Sequence, residues 1–184
     1  MTGHAEPERQ VVMSLGSNIG DRLGNLQLGV DILMSGGLAC PAVSSVYETD
    51  PVGGPAQDNY LNAVLVANTT MSAHAVLDLA IAAEAAAGRV RTVRFGPRTL
   101  DVDVIAYGAE TISDAELTLP HPRAHERAFV LAPWLELDPA AALPGRGTVA
   151  ELLGAIGNAG VELCPDLELS LPMRTSATAD APCT

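Results

Sequence analysis

Two aspartates inside an apolar, β-branched segment are the residues of this chain best suited to chemistry. Asp101 and Asp103 lie two positions apart in the segment LDVDVIAY. If this segment is a strand, alternate side chains point to opposite faces, so the two carboxylates share one face while their neighbours enter the core. Two like charges beside apolar surface repel each other and are costly to bury without a cation. The pattern therefore predicts a divalent metal site that holds a polyphosphate.

A cluster of arginines precedes this strand in an otherwise acidic chain. The formal net charge is −12, and all 10 basic residues among the 184 are arginines. Four of them, Arg89, Arg91, Arg94 and Arg98, fall within residues 89–98. A guanidinium matches phosphate oxygens bidentately and stabilises the charge that develops in phosphoryl transfer. Two alternatives stay open, namely a solvated surface loop and structural ion pairs of Arg94 or Arg98 with the aspartates.

Two further groups of residues are suited to ligand contacts. His121 and Arg127 flank a predicted helix start, where backbone N–H groups favour anions, although an ordinary loop histidine is the alternative for His121. Tyr60 and Asn62 lie two apart on a predicted strand and so share a face. A flat heterocycle can stack there on Tyr60 or Phe129, while the Asn62 amide pairs with a ring amide. An ordinary sheet face is the alternative for this second group.

Composition excludes several classes of function. The acidic balance disfavours non-specific nucleic-acid binding, and the absence of lysine excludes a Walker A loop and Schiff-base chemistry on lysine. No apolar run reaches the roughly 18 residues of a membrane helix, and the N-terminus lacks a signal-peptide pattern, so we expect a cytoplasmic protein without a membrane partner. The cysteines are far apart in sequence, which indicates buried or free thiols in a reducing compartment.

The elements that must position these residues follow the order β-α-β-β-α-β. Hydrophobic patterns predict, in chain order, a strand at 10–15, a helix at 21–35, strands at 42–49 and 60–69, a helix at 73–87 and a strand at about 100–107. Asn18 or Asp21 can cap the first long helix, and Ser72 can cap the second. A small hairpin at 110–120 and helices at about 123–133 and 148–157 complete the prediction.

This order is that of a ferredoxin-like α+β fold. It predicts a mostly antiparallel sheet with the two long helices on one face and the later helices on the other. We expect a flexible leader at residues 1–9, a single domain at 10–172 and a disordered tail at 173–184, because the last residues are small and polar.

Taken together, the motifs resemble the 6-hydroxymethyl-7,8-dihydropterin pyrophosphokinase family. The resemblance runs from residue 15 to about residue 139, through LGSN, SSVYETDPVGG, YLNAV, RFGPRTLDVDVIAYG and LTLPHPRAHERAFVLAPW. It implies transfer of the β,γ-pyrophosphoryl group of ATP to the pterin hydroxymethyl oxygen in folate biosynthesis, with release of AMP. It also implies a ferredoxin-like fold, two Mg²⁺ ions and ATP as co-substrate.

The resemblance implies a role for particular residues. Asp101 and Asp103 match the metal ligands, and Arg89 and Arg98 match the arginines of a catalytic loop. On this basis the positions expected to contact ATP are Glu84, Arg91, Arg94, Arg98, Val104, Thr118, His121 and Arg127. The positions expected to form the pterin pocket are Thr49, Val52, Tyr60, Asn62 and Phe129. Departures from the family pattern at Thr92, Phe95, Glu116 and Pro122 concern the nucleotide side and leave the metal site unchanged.

Two other functions remain open at this point. A different metal-dependent nucleotidyl or phosphoryl transferase would release pyrophosphate from ATP. A non-catalytic nucleotide or pterin sensor would bind its ligands without turnover. We expect small-molecule partners only, no nucleic acid, and a monomeric protein.

Overall fold

The computed structural model describes residues 7–51, 56–88 and 96–172. Its elements, in chain order, are β1 (Arg9–Ser17), α1 (Arg22–Ser35), β2 (Ala39–Val43), β3 (Tyr47–Thr49), β4 (Tyr60–Thr69), α2 (Ala73–Ala86), β5 (Asp101–Tyr107), β6 (Ile112–Ser113), β7 (Thr118–Leu119), a 3-10 turn (Ala124–Glu126), α3 (Ala128–Leu137), β8 (Ala142–Leu143), β9 (Gly147–Thr148), α4 (Val149–Ile156) and β10 (Val161–Leu163). No helix in these described ranges is both long enough and apolar enough to cross a membrane.

A six-stranded antiparallel sheet forms the centre of the fold. The strands follow the order β10-β3-β4-β1-β5, and β2 pairs with the same edge of β4 as β3. The predicted strand at 42–49 is therefore two strands, which corrects the sequence prediction. The break lies at Ser44, whose Oγ accepts the Val64 N–H at 2.9 Å, so a side chain replaces a backbone acceptor there.

The helices cover both faces of this sheet, which confirms the predicted α+β fold. Helices α1 and α2 pack Leu26, Val30 and Val76 onto the first face, and α3 packs Leu131 and Trp134 onto the second. These apolar side chains are almost fully buried. Burying side chains of this size stabilises the fold by roughly 1.5–3 kcal/mol each. Each helix is thus fixed by its apolar face against a rigid sheet.

Local signals fix the starts of the two long helices. The Asp21 side chain accepts the Gly24 N–H, and the Ser72 side chain accepts the Ala75 N–H, as expected for N-caps. In the middle of α1, a Cβ added at Gly29 would lie 2.9 Å from a methyl carbon of Leu15. Glycine at this position therefore lets α1 approach the sheet closely.

The structure differs from the sequence expectations in further details. The helix predicted at 123–133 is a 3-10 turn followed by α3, because the extended backbone of Arg127 interrupts it at φ −113° and ψ 95°. Strand β10 was not expected, since its three residues carry too short a pattern. Cys40 is disulfide-bonded, so the expectation of free thiols is wrong for this residue, whereas Cys164 is free. The tail predicted at 173–184 lies outside the described residues.

Candidate active site

The register of three neighbouring strands brings the predicted metal and heterocycle residues to one place. Gly16 on β1 pairs with Asp101 on one side and with Asn62 on the other. Two residues earlier, Ser14 pairs with Asp103. Paired residues of an antiparallel sheet project to the same face, so both carboxylates and the amide lie around Gly16. The same face carries α3.

Gly16 keeps the space between these groups open. A Cβ added at this position would lie 3.1 Å from Asn62 Oδ1 and 3.6 Å from the Tyr60 ring. The absence of a side chain therefore leaves a path over β1 from the amide to the carboxylates. Strands in a sheet are about 4.8 Å apart, so the two groups lie roughly 10 Å from each other across β1.

A cavity of about 440 Å³ opens above this part of the sheet. Its floor comes from β1, β3, β4 and β5, and its walls come from the start of α3 and the end of α4. Among the predicted site residues, those that line it are Thr49, Tyr60, Asn62, Arg98, Asp101, Asp103, Arg127 and Phe129. One cavity therefore contains both the carboxylate pair and the candidate residues for a flat ring.

The carboxylates lie beside guanidinium groups. Arg98 NH1 forms an ion pair with Asp101 Oδ2, and Arg127 NH1 donates to Asp103 Oδ2 at 2.7 Å. The two aspartate side chains are 23% and 31% exposed, so both remain accessible from the cavity. The structural pairing that the sequence left open for Arg98 is thus present. The same contacts place positive charge where an anionic ligand would approach the pair.

His121 lies next to Asp103, in a partly buried position that favours the neutral form of its ring. Its backbone N–H donates to Ile105 O at 2.8 Å, which holds the segment against β5. Its Nδ1 accepts the Arg123 N–H at 3.2 Å, so in the neutral ring the proton belongs on Nε2, which lies 3.8 Å from Asp103 Oδ2. Burial lowers the pKa of His121, and the nearby Asp103 only partly offsets this. The ring can therefore donate to an oxygen from Nε2.

The heterocycle side is built from a buried amide and two aromatic rings. Asn62 is 3% exposed, and its Nδ2 donates to Thr49 Oγ1 at 2.8 Å. This bond fixes the amide, so Oδ1 points toward Gly16. Tyr60 comes from β4 and Phe129 from the first turn of α3, and both line the cavity. The Arg127 guanidinium carbon lies 5.6 Å from the centre of the Phe129 ring, which links this side to the carboxylates.

Asn18 connects the two segments that lead into the cavity. Its Nδ2 donates to Gln57 Oε1 at 3.0 Å and to Asp58 O at 3.1 Å. Its Oδ1 accepts the Arg98 N–H at 2.7 Å, and its own N–H donates to Arg98 O at 3.1 Å. The sequence predicted Asn18 or Asp21 as the cap of α1, and Asp21 is the cap. The buried Asn18 joins the segments before Tyr60 and before Asp101.

Besides His121, three predicted ATP contacts lie outside the cavity lining. Glu84 is buried on α2, where its Oε1 accepts the Val102 N–H at 2.9 Å. Val104 is buried in the core beneath α1 and α2, and Thr118 is exposed on β7. All three lie on or beside β5, which is one end of the sheet. Of the remaining predicted residues, Val52, Arg89, Arg91 and Arg94 lie outside the described residues.

Several cavity residues were missed by sequence reasoning. Ser14 lines the cavity and could have been found, because it lies two residues from Gly16 on the same strand. Arg123 and Glu126 also line it, from the 3-10 turn and its cap. The segment 156–161 contributes an outer wall, and no signal in the sequence pointed to it.

The two aspartate carboxylates suit a hard cation that keeps part of its hydration shell. Within the described ranges, no group of three or more His, Cys, Asp and Glu side chains is arranged to hold a metal. Mg²⁺ is usually bound by one or two carboxylates, with water and substrate phosphates as its other ligands. Asp101 and Asp103 on one strand face fit that requirement, whereas a zinc or calcium site would need more protein ligands.

Comparison with known proteins identifies close relatives in sequence. A model of the family 7,8-dihydro-6-hydroxymethylpterin-pyrophosphokinase matches residues 12–139. A 2-amino-4-hydroxy-6-hydroxymethyldihydropteridine pyrophosphokinase from Methylorubrum extorquens is 42% identical over 151 residues, covering 82% of this chain and 95% of the relative. A protein of the same name from Mycobacterium tuberculosis is 48% identical over 148 residues, covering 75% of this chain and 77% of the relative.

Solved structures share the fold at low sequence identity. A Plasmodium falciparum HPPK-DHPS variant with pteroate gives a TM-score of 0.64 at 12% identity, covering 82% of this chain and 43% of that chain. An HPPK-DHPS in complex with substrates gives a TM-score of 0.63 at 11% identity, with 81% and 43% covered. This chain spans less than half of those proteins, and at such identity the likeness concerns the fold alone.

Proposed function

The chain belongs to the 7,8-dihydro-6-hydroxymethylpterin pyrophosphokinase family, and from this premise we propose how the residues of its cavity divide the work of the reaction. The enzyme transfers the pyrophosphoryl group of ATP to the hydroxymethyl group of 6-hydroxymethyl-7,8-dihydropterin, with release of AMP, in folate biosynthesis. The observation that carries the proposal is the pairing of Gly16 with both Asn62 and Asp101, which supports one cavity for acceptor and phosphates.

We assign the pterin to the side of the cavity formed by β3, β4 and the start of α3. The ring would stack between Tyr60 and Phe129, since aromatic faces favour flat heterocycles. Asn62 Oδ1 would accept a ring N–H, with its amide already held by Thr49. The hydroxymethyl group would then point over Gly16 toward the carboxylates. Val52 completes this assignment, although it lies outside the described residues.

We assign the polyphosphate to the side formed by β5. Asp101 and Asp103 would hold two Mg²⁺ ions, which when bound neutralise charge on the phosphate oxygens. Arg98 and Arg127 contact these carboxylates, which supports a role for their guanidiniums in binding phosphate oxygens. His121 would donate from Nε2 to a further oxygen. Positioning and charge stabilisation would supply most of the rate enhancement.

The predicted ATP contacts outside the cavity fit a nucleoside position along the edge strand. Glu84, Val104 and Thr118 lie on or beside β5, so we propose that the adenosine part follows this edge while the phosphates enter the cavity. The arginines that precede Arg98 are Arg89, Arg91 and Arg94, and all three lie outside the described residues. We propose that they hold the outer phosphates and that Arg89 has a catalytic role. We also propose a monomeric, cytoplasmic enzyme without a nucleic-acid partner, since its substrates are small metabolites.

A product assay tests the reaction directly. The protein is supplied with ATP, Mg²⁺ and 6-hydroxymethyl-7,8-dihydropterin, and the nucleotide products are separated by chromatography. We expect AMP and a pterin diphosphate in equal amounts, and no AMP when the pterin is left out. Formation of ADP would contradict pyrophosphoryl transfer, release of pyrophosphate would indicate a nucleotidyl transferase, and binding without turnover would indicate a sensor.

A further inference from the structure

The segment from the end of α4 to β10 lines the cavity, although it lies beyond the part of the chain that matches the family model. That match ends at residue 139. Ile156, Gly157, Ala159, Gly160 and Val161 nevertheless contribute to the cavity lining. We call residues 156–161 the outer wall. The outer wall is therefore a part of the cavity that lies outside the family match.

Strand β10 places the outer wall next to the assigned pterin residues. Val161 pairs with Thr49, and Thr49 pairs in turn with Tyr60. These three side chains therefore project to the same face of the sheet, one strand after another. Thr49 Oγ1 also accepts a hydrogen bond from Asn62 Nδ2. The outer wall is thus an extension of the floor on which the ring would lie, at the end remote from the carboxylates.

The backbone of the outer wall is held in a defined shape. Gly157 and Gly160 have φ values of 73° and 74°, a conformation that side chains disfavour. The Gly157 N–H donates to Leu153 O at 2.8 Å, and the Val161 N–H donates to Asn158 O at 3.1 Å. Helix α4 itself begins with a capping box between Thr148 and Glu151. The glycine conformations and these hydrogen bonds therefore define the backbone conformation of the turn.

Ile156 is the apolar side chain that this turn presents to the cavity. It is 44% exposed, among the most exposed large apolar residues of the described chain. Its neighbours on α4, Leu152 and Leu153, pack against the core beneath the helix. An apolar side chain left exposed at a cavity mouth gains stability when a flat ring covers it.

We propose that Ile156 is a positioning and affinity-determining residue for the pterin, closing the pocket on the side opposite the carboxylates. The inference rests on the proposed function, because it takes the pterin to lie between Tyr60 and Phe129. By covering one edge of the ring, Ile156 limits how far the ring can move across β3 toward β10, away from the carboxylates. It thereby keeps the hydroxymethyl group over Gly16, within reach of the phosphates.

Replacement of Ile156 by alanine tests this role. The lost apolar contact should raise the KM for the pterin about five- to tenfold. Because the ring is then less well positioned, kcat should fall about two- to fivefold, while the KM for ATP stays unchanged. The dissociation constant of the pterin, measured by fluorescence in the absence of turnover, should rise by the same factor. Ile156→Leu, which keeps the apolar volume, should restore most of the affinity.

Leu163→Ala is the matched control. Leu163 is also a large exposed apolar residue, at 53% exposure, and lies on β10, but it is outside the cavity lining. We expect both KM values to stay unchanged in this variant. An unchanged pterin KM in Ile156→Ala, an equal rise in both KM values, or the same rise in Leu163→Ala would each overturn the inference. If the unmodified protein makes no AMP, the proposed function fails instead, so the two failures are distinguishable.

Discussion

At the scale of single residues, the ion pairs of the two aspartates are relevant to the metal site that we propose. Each is already paired with an arginine, through Arg98 and Asp101 and through Arg127 and Asp103. In a partly exposed site such pairs contribute about 0–1 kcal/mol to folding, so stability alone is a weak reason for placing four charges in one cavity. The metal and phosphate binding that we propose would be a stronger reason, because both signs of charge would then be used at once.

Replacing either aspartate by asparagine should remove turnover while the fold remains. We expect Asp101→Asn and Asp103→Asn to lower kcat at least about 100-fold, because each variant loses a negative ligand for Mg²⁺. The free energy of unfolding should change by no more than about 1 kcal/mol, since the lost ion pairs are partly exposed. Magnesium titrations of AMP formation and urea denaturation measure the two effects.

A carboxylate outside the cavity provides the control for these variants. Asp166 is exposed and is not among the cavity-lining residues, so Asp166→Asn should keep wild-type turnover and the same Mg²⁺ dependence. Magnesium-dependent turnover at the wild-type rate in Asp103→Asn would refute the metal assignment.

At the scale of elements, Asn18 shows how one buried amide sets the geometry of two segments. Its Nδ2 holds Gln57 and Asp58, and its Oδ1 holds the backbone of Arg98. A side chain with both a donor and an acceptor is required, because Gln57 and Asp58 accept hydrogen bonds whereas the Arg98 N–H donates one. Tyr60 and Asp101, which follow these segments, therefore depend on the same amide for their relative placement.

Asn18→Ala should affect stability and both substrates together. Truncation leaves the Arg98 N–H and the Asp58 carbonyl without this partner, which costs about 2–3 kcal/mol of unfolding free energy. We expect the KM values for ATP and pterin to rise in parallel, measured by initial rates alongside urea denaturation. Asn25→Ala is a useful comparison, because Asn25 bonds Ser17 and Ile19 within the same turn but neither segment. A rise in only one KM in Asn18→Ala would contradict the bridging role.

Tyr47 fixes α3 to the sheet through a carboxylate. Its hydroxyl donates to Glu136 Oε2 at 2.8 Å, and Glu136 Oε1 accepts from Ser45 Oγ at 2.9 Å. Burial first, and then the bond to Glu136, raise the pKa of Tyr47 from 10.0 to about 12. In the folded protein the hydroxyl stays protonated at a pH where the unfolded chain ionises. The resulting stability is therefore present below pH 10 and is lost as the pH rises toward 12.

Tyr47→Phe should remove this pH dependence. At neutral pH we expect a loss of about 1 kcal/mol from the missing hydrogen bond. Between pH 10 and 12 the unfolding free energy of the variant should fall less steeply than that of the wild type. Urea denaturation over this range measures both effects. Ser45→Ala loses a bond to the same carboxylate but keeps the tyrosine, so its alkaline decrease should resemble the wild type; a decrease as shallow as that of Tyr47→Phe would refute the assignment.

Helices and strands could be predicted where the sequence pattern depends on residues close together in the chain. The strand at 60–69 and the cap at Ser72 are as predicted, because alternation and capping act over a few neighbouring residues. The common face of Asp101 and Asp103 followed from strand geometry alone. The outer wall at 156–161 and the bridging role of Asn18 depend on contacts between segments distant in sequence. No local pattern encodes such contacts, so they had to come from the structure.

At the scale of the whole molecule, the sheet separates the larger apolar core from the cavity. One face carries α1, α2 and the larger apolar core, and the other carries the cavity beneath α3 and α4. After β10 the chain returns to the first face, where Leu167, Leu169 and Leu171 pack against that core. Their alternate spacing is that of an extended segment with one apolar side. This C-terminal segment, residues 164–172, thus covers the face opposite the cavity.

One glutamine on α1 holds this C-terminal segment in place. Gln27 Nε2 donates to Ser170 O at 2.8 Å, and Gln27 Oε1 accepts the Ser170 N–H at 2.8 Å. Because the two bonds are near the surface, we expect Gln27→Ala to lower the unfolding free energy by about 1 kcal/mol. Limited proteolysis within residues 164–172 should become faster, while kcat and both KM values stay within error, since the cavity lies across the sheet. Gln10→Ala, at an exposed position on β1 with no side-chain bond to this segment, should change neither stability nor proteolysis. A change of either KM in Gln27→Ala without loss of stability would show that the two faces are coupled, and the division of labour across the sheet would then be wrong.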